Sequence, residues 1–214
     1  MKRFRISVYV LSTIWFVLIC SGVIEKGEAK AQQKHPASKT RPLDILKVLN
    51  TTHPLWLYQQ TYPNNFSIPE YTQEIFEEIC IFNKKINLTG DVYHFWHKME
   101  VNGDKLEFHF NGTINTTQNS MDVSDISPSS NDTCPFERMT LLYSDKNKCS
   151  VFAVTSLSED ATEGEECEMY IKDSKQDIKP TKGCDEFYNE KCKKGKYKAY
   201  RETCKNKQKP KKKQ

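Results

Sequence analysis

The sequence predicts an all-β domain, an antiparallel sandwich or barrel, with a short helical segment near its end. Short segments rich in aromatic and β-branched residues recur along the chain, and turn-forming sequences separate them. In the clearest segment Leu106, Phe108 and Phe110 alternate with Lys105 and His109. Alternation with a period of two is typical of a strand that has one buried face. Many short strands separated by turns favour a sandwich or a barrel.

Eight segments fit this pattern. Their predicted bounds are 55–58, 75–84, 92–99, 105–114, 121–126, 139–143, 149–155 and 166–171. A short helix is predicted at 43–49, where Pro42 suits a first turn. A second helix is predicted at 183–192, and its Phe187 and Tyr188 offer an apolar edge that can pack on the sheet.

The first 22 residues have the composition of a removable secretion signal. Lys2, Arg3 and Arg5 precede an apolar run of 15 residues at 6–20, which is too short to span a bilayer comfortably. We therefore expect a secreted, extracellular protein with no membrane span. The predicted regions are a signal peptide at 1–22, a disordered lead-in at 23–41, one domain at 42–204 and a basic disordered tail at 205–214.

The charge is distributed unevenly along the chain. The formal net charge is +4, and it falls to +1 when the signal is removed. The tail holds six lysines, so the body without it carries about −5. An acidic body with a basic tail does not fit nucleic-acid binding, which needs clustered Lys and Arg with aromatic residues between them. The tail is expected to aid solubility or to adhere to a sulfated polysaccharide or an anionic cell surface.

Seven of the eight cysteines lie beyond the predicted signal. In a secreted chain they predict a disulfide framework. The odd count leaves one free thiol or one intermolecular bridge. The sequence contains no Cys-x-x-Cys pair, so no metal site and no cofactor are expected.

Acceptor triplets for N-linked glycosylation predict surface positions, because an attached sugar must stay in water. The acceptors are Asn50, Asn65, Asn87, Asn111, Asn115 and Asn131. We expect at least two to carry sugar, and Asn111 and Asn115 are the first choices because they are predicted to lie at a strand end and a turn.

No sequence motif indicates catalysis, because the nucleophile elbow, the zinc-protease motif and the phosphate-binding loop are all missing. The strand at 166–171 is more informative. If Cys167 faces outward to a disulfide, then Glu168 and Tyr170 face inward. A buried carboxylate needs a partner. That partner is either a cationic ligand held by the carboxylate and the ring, or water or a lysine at the mouth of a barrel.

From Leu43 to Cys204 the chain resembles the tick salivary lipocalins of the histamine-binding-like group. The marks of the resemblance are Asp44, Trp56-Leu57-Tyr58, Cys80 with Lys84-Lys85, Leu141-Leu142-Tyr143-Ser144-Asp145, Cys149-Ser150-Val151, Glu168-Met169-Tyr170, Cys184 and Cys204. The resemblance implies an eight-stranded antiparallel lipocalin barrel with a short N-terminal helix and a C-terminal helix packed on the wall. It also implies disulfides Cys80–Cys204 and Cys149–Cys184. Cys167 is then expected to pair with Cys192, which leaves Cys134 over.

Amine-binding members of that group share Cys-Asp-[Val/Ile/Leu], then Glu-Leu-[Trp/Tyr], then Cys. Here Ser150 stands in place of the Asp and Met169 in place of the Leu. The ligand-binding residues implied by the resemblance are Glu168, Tyr170, Ser150, Phe152, Phe108, Asp44 and Trp56. The resemblance implies binding without catalysis, in which the protein sequesters a small host mediator, foremost histamine or serotonin. A lipid mediator such as a leukotriene and a host complement or receptor protein are the alternatives.

Overall fold

The structure is a computed structural model that describes residues 42–67, 74–130, 133–145, 148–158, 164–174 and 177–206. The predicted signal peptide and lead-in lie outside the described residues, as does most of the predicted basic tail. The described strands are β1 Leu55–Gln60, β2 Asn65–Ser67, β3 Ile75–Thr89, β4 Val92–Val101, β5 Asp104–Asn115, β6 Ser120–Asp125, β7 Glu137–Asp145, β8 Cys149–Ser156, β9 Glu166–Lys172 and β10 Tyr197–Lys198. The helices are α1 Ile45–Leu49, α2 Lys182–Lys191 and α3 Glu202–Asn206.

Eight of these strands form a closed antiparallel barrel. Its order is β1-β9-β8-β7-β6-β5-β4-β3, and pairing of β1 with β3 closes it. The predicted fold is confirmed, and each of the eight predicted segments corresponds to one barrel strand. Two short strands were not predicted: β2 extends the pairing of β3, and β10 pairs with β1. Strands of two or three residues are too short to show a period in the sequence.

Helix α1 begins two residues later than predicted, because Asp44 is its N-cap. The Asp44 carboxylate accepts a hydrogen bond of 3.0 Å from the backbone N–H of Lys47, which satisfies a donor left open at the helix start. The backbone N–H of Ile45 donates to Asn119 Oδ1 at 3.0 Å. This bond places α1 at the end of the barrel where β5 and β6 are joined.

A cluster of buried side chains fills the space between the barrel and α2, and we call it the wall cluster. Its members are Trp56, Ile79, Cys80, Cys149, Val151, Cys167, Met169, Ile171, Ile178, Cys184, Tyr188, Cys192, Tyr200 and Cys204. Tyr188 is fully buried there, and the Phe187 ring stacks on Tyr143 with 4.8 Å between ring centroids. Both aromatic residues therefore pack on the barrel, as the sequence predicts. No helix in the described ranges is long and apolar enough to cross a membrane.

Three disulfides attach the C-terminal part of the chain to the barrel. They join Cys80 to Cys204, Cys149 to Cys184 and Cys167 to Cys192, the same pairs that the sequence analysis expected. Two of them fix the opposite ends of α2 to β8 and β9. Cys134 is also disulfide-bonded, so none of the described cysteines is a free thiol.

The glycan acceptors differ in exposure. Those at Asn50, Asn65, Asn87 and Asn115 are exposed, whereas Asn111 is half-buried and Asn131 lies outside the described residues. Strand β5 runs on to Asn115, so Asn111 lies within the strand, and the expectation that it ends the strand is wrong. Which acceptors carry sugar stays a prediction.

Candidate ligand-binding site

The site begins with the alternation of β9. Cys167, Met169 and Ile171 belong to the wall cluster on the outer side of the strand. Glu168 and Tyr170 lie between them in sequence, so their side chains point to the opposite side, into the barrel. Each of these two residues is only 4% exposed.

Neighbouring strand β8 contributes Ser150 and Phe152 to the same interior face. Phe152 pairs with Glu168 and Ser150 pairs with Tyr170 in the register of the two strands. Residues paired directly across a sheet share one face. The Phe152 and Tyr170 rings meet edge to face with 5.8 Å between centroids, and Val151 points the other way into the wall cluster.

Two phenols hold the Glu168 carboxylate. Tyr170 Oη donates to Glu168 Oε2 at 2.8 Å, and Tyr62 Oη donates to Glu168 Oε1. Tyr62 lies just after β1, whose Gln60 pairs with Glu168 across the sheet. Each oxygen of the Glu168 carboxylate thus accepts a hydrogen bond from one phenol.

Both phenols stay protonated and remain donors. Burial first, and then the charge of Glu168, raise the pKa of Tyr62 and of Tyr170 well above the usual range. The charge of Glu137, at the start of β7, raises the pKa of both phenols as well. The charges of two carboxylates therefore act on this part of the interior.

A chain of hydrogen bonds extends from Glu168 across the barrel. The Asn83 side chain hydrogen-bonds the Tyr170 phenol and lowers its pKa, against the larger effect of burial. His97 Nδ1 lies 2.7 Å from Asn83 Oδ1. An amide oxygen can only accept, so His97 donates from Nδ1. Burial lowers the pKa of His97 to about 4, so its ring is neutral at physiological pH.

This arrangement is suited to a small cation. An ammonium group brings positive charge to a buried carboxylate, and it can donate charge-assisted hydrogen bonds to carboxylate oxygens. The rings of Tyr62, Tyr170 and Phe152 surround the same carboxylate, and aromatic faces attract cations. Within the described part of the chain no group of three or more His, Cys, Asp or Glu residues could hold a metal ion.

A family model described as tick histamine binding protein matches residues 35–206. The chain belongs to the tick histamine-binding protein family. This is a family of ligand-binding lipocalins and not of enzymes. A search of curated protein sequences found no significant match.

The chain is also similar to solved structures. The serotonin complex of AM182 matches with a TM-score of 0.52 and 15% sequence identity, covering 79% of this chain and 97% of that chain. Japanin from Rhipicephalus appendiculatus bound to cholesterol matches with a TM-score of 0.43 and 13% identity, covering 66% of this chain and 88% of that chain. At this identity the AM182 match shows a shared fold.

Two residues that the histamine-binding resemblance assigned to the ligand lie elsewhere. Trp56 points into the wall cluster, because it pairs with outward-facing Ile171. Its ring packs on that of Phe82, with 4.7 Å between ring centroids. Asp44 is exposed and its carboxylate caps α1. The structure does not bring either of them to Glu168.

Phe108 lies in the same interior as Glu168 but on the far side of the barrel. It pairs with His97 across β4 and β5, and its ring stacks on Phe110 at 6.0 Å. Phe110 in turn stacks on His97 at 5.2 Å. The aromatic row thus meets the hydrogen-bond chain that starts at Glu168.

Four residues of this candidate site were not predicted from the sequence: Tyr62, Asn83, His97 and Glu137. Tyr62 follows β1 in a turn without a period, and its bond to Glu168 spans 106 residues. Glu137 is followed by Arg138, and two adjacent residues of opposite charge suggest an exposed position. The sequence did contain a signal for His97, which lies on the same face of β4 as buried Phe95 and Met99.

A second buried carboxyl, that of Glu78 on β3, has a different environment. It is 7% exposed, and no described residue forms a hydrogen bond or an ion pair with its side chain. Burial raises its pKa to about 7. Because the carboxyl is costly to ionise in the folded protein, it should make the stability of the protein depend on pH.

Replacing Glu78 with Gln should stabilise the protein at about pH 8 and not at about pH 4. Below the ordinary carboxyl pKa of 4.5 the group is protonated in both the folded and the unfolded chain. Between pH 4.5 and about 7 only the unfolded chain ionises freely, so over this range the wild type loses stability that the variant keeps, and above pH 7 the loss is complete. The difference in unfolding free energy should reach about 3 kcal/mol, measured by urea denaturation. Exposed Glu107, changed to Gln, is the control. An effect that is equal at both pH values would contradict this account.

Proposed function

We propose that the protein binds and sequesters a biogenic amine, histamine or serotonin, inside the barrel, with Glu168 as the anchor of the ammonium group. One observation carries the proposal: the buried Glu168 carboxylate lies among aromatic rings and is held by two phenols. Such a site attracts a compact cation that also has a flat ring. AM182, which has a similar fold, is described as a serotonin complex.

Glu137 supports the proposal, since it supplies negative charge where the family pattern has lost it. Ser150 stands in place of an Asp, which removes one carboxylate from the interior face. Glu137 lies close enough to raise the pKa of both phenols that hold Glu168. The charge of Glu137 therefore acts on the same phenols as Glu168, although the motif supplies only one carboxylate.

A lipid mediator is the second candidate, because the barrel interior towards α1 is apolar. Buried side chains there include those of Phe95, Ile114, Met121, Val123 and Leu141. A fatty-acid mediator such as a leukotriene also carries a carboxylate, which Glu168 and Glu137 would repel. The charge of the site thus favours the amine.

We propose further that the protein is secreted in saliva and dampens host inflammation and defence by removing the free mediator. Support comes from the apolar N-terminal run, the glycan acceptors and the disulfides, which belong to oxidising compartments. The histamine-binding family assignment is in keeping with this role.

Titration calorimetry of the full mature chain with histamine, serotonin and leukotriene tests the binding proposal. We expect an amine to bind, the leukotriene to bind more weakly, and amine affinity to fall at pH values where carboxylates are protonated. Tighter binding of the leukotriene would favour the lipid candidate. Absence of binding by all three would favour a protein partner, with native mass spectrometry as an independent check.

Replacing Ser150 with Asp should strengthen amine binding about tenfold. Ser150 is 3% exposed and pairs with Tyr170 on the interior face, so the new carboxylate would face the ligand. A charge-assisted hydrogen bond contributes about 1.5–3 kcal/mol, of which burial of another charge offsets a part. The isosteric control is Ser150→Asn. Equal affinities of the Asp and Asn variants would show that the ammonium does not reach this strand.

A further inference from the structure

The segment that connects α2 to α3 carries three lysines without a carboxylate partner. Lys193, Lys196 and Lys198 are exposed, and no Asp or Glu of the described residues forms an ion pair with them. The segment is held at both ends, by the Cys167–Cys192 disulfide before it and by the Cys80–Cys204 disulfide after it. Its charges are therefore fixed on the outside of the barrel.

The other cationic side chains of this stretch form ion pairs with carboxylates. Their ion pairs are Lys191–Glu190 at 2.9 Å, Lys194–Glu166 at 2.7 Å, Arg201–Glu77 and Lys205–Asp173 at 3.2 Å. On α2 itself Glu186 pairs with Lys182. The net positive charge of this surface thus falls on Lys193, Lys196 and Lys198, which we call the basic strip.

The ammonium groups of the basic strip are brought close together. Lys193 Nζ donates to the backbone oxygen of Asn189 at 2.9 Å, and Lys196 Nζ donates to Asn189 Oδ1. Two positive charges therefore meet at the C-terminal end of α2. Lys198 follows two residues after Lys196 and lies in edge strand β10, which pairs with β1. Its Nζ lies 4.9 Å from the centroid of the Tyr58 ring.

We infer that the basic strip binds a sulfated polysaccharide. Three ammonium groups on one segment that is held at both ends by disulfides match a polyanion, whose repeated sulfates can contact more than one lysine. The disulfides indicate an extracellular setting. Anionic lipid is concentrated on the cytoplasmic leaflet of cell membranes, so a polysaccharide is the more accessible polyanion there. The strip lies outside the barrel, so the polysaccharide and an amine inside it should bind independently.

Binding to immobilised heparin, measured by surface plasmon resonance over a range of salt concentrations, tests the inference. The triple variant Lys193→Gln, Lys196→Gln and Lys198→Gln should bind roughly tenfold more weakly at low salt. Its logarithmic affinity should also fall less steeply with salt, since fewer counterions are released. The matched control is Lys47→Gln, Lys84→Gln and Lys148→Gln, which removes the same charge from exposed lysines elsewhere. We expect this control to bind nearly as the unchanged protein does.

Three results would overturn the inference. The first is equal weakening by the two triple variants, which would mean that only net charge matters. The second is an unchanged affinity in the strip variant together with loss of binding when Lys207, Lys209, Lys211, Lys212 and Lys213 are replaced by Gln. The third is strip-dependent binding to phosphatidylserine vesicles that exceeds binding to heparin. Amine calorimetry on the strip variant should be unchanged, so failure here would leave the proposed function untouched.

Discussion

Replacing Glu168 with Gln should weaken histamine or serotonin binding by about ten- to a hundredfold. Gln keeps the size of the side chain and removes the charge that faces the ammonium group. A hydrogen bond to a charged group contributes about 1.5–3 kcal/mol, and about 1.4 kcal/mol is tenfold in affinity. The substituted amide also presents its NH₂ group to donors, which leaves one phenol of the Tyr62 and Tyr170 pair without an acceptor. Titration calorimetry against each amine measures the loss.

The control for this variant is Glu107→Gln, which makes the same chemical change on the outer face of β5, where Glu107 pairs with Lys98 at 2.5 Å. The amine affinity of Tyr62→Phe should lie between those of Glu168→Gln and Glu107→Gln, because this variant removes one donor to Glu168 and leaves the charge in place. Urea denaturation of each variant separates a lost ligand contact from a lost fold. If folded Glu168→Gln protein binds amines as the wild type does, Glu168 is not the anchor.

Removing the Cys80–Cys204 disulfide by replacing both cysteines with Ala should lower the free energy of unfolding by about 5 kcal/mol. The bridge closes a loop of 124 residues, the longest of the three, and the entropy that a bridge removes from the unfolded chain grows with loop length. The Cys167–Cys192 disulfide closes a loop of only 25 residues. Replacing these two cysteines with Ala should therefore lower the free energy of unfolding by about 3.5 kcal/mol. Urea denaturation of the two double variants measures both values.

Peptide mapping without reduction provides the covalent check on that comparison. Peptides that contain Cys80 should be recovered joined to peptides that contain Cys204. A Cys80–Cys134 bridge would contradict the assignment. The order of the two stability losses is an independent criterion, since the loop-length argument fails if the shorter bridge contributes more.

The sequence was sufficient to predict the barrel because its signals are local. Strand β5 shows a clear two-residue period, and turns such as the one at Asn102-Gly103-Asp104 mark strand ends. Strands β2 and β10 could not be predicted, because their short pairings with β3 and β1 exist only after the barrel has formed. The C-terminal helix was predictable because Phe187 and Tyr188 give one side of it an apolar edge.

The site was only partly predictable, because its parts come together across the barrel. Alternation along β9 placed Glu168 and Tyr170 on one face, but nothing local indicated that Tyr62 would meet Glu168. The position of Trp56 on the outer side of β1 could not be predicted for a related reason. Leu55, Trp56 and Leu57 are all buried, so β1 lies between the interior and the wall cluster. Its composition therefore gives no sign of which residues face inward.

The disulfides that fix α2 have a consequence for the kinetics and entropy of binding. Cys149 and Cys167 are covalently held on the outer side of β8 and β9, and the next residue of each strand, Ser150 and Glu168, faces the interior. The backbone behind the anchor is therefore preorganised before any ligand arrives. Conformational freedom that a looser wall would lose on association has already been lost during folding, which favours slow release of a small ligand.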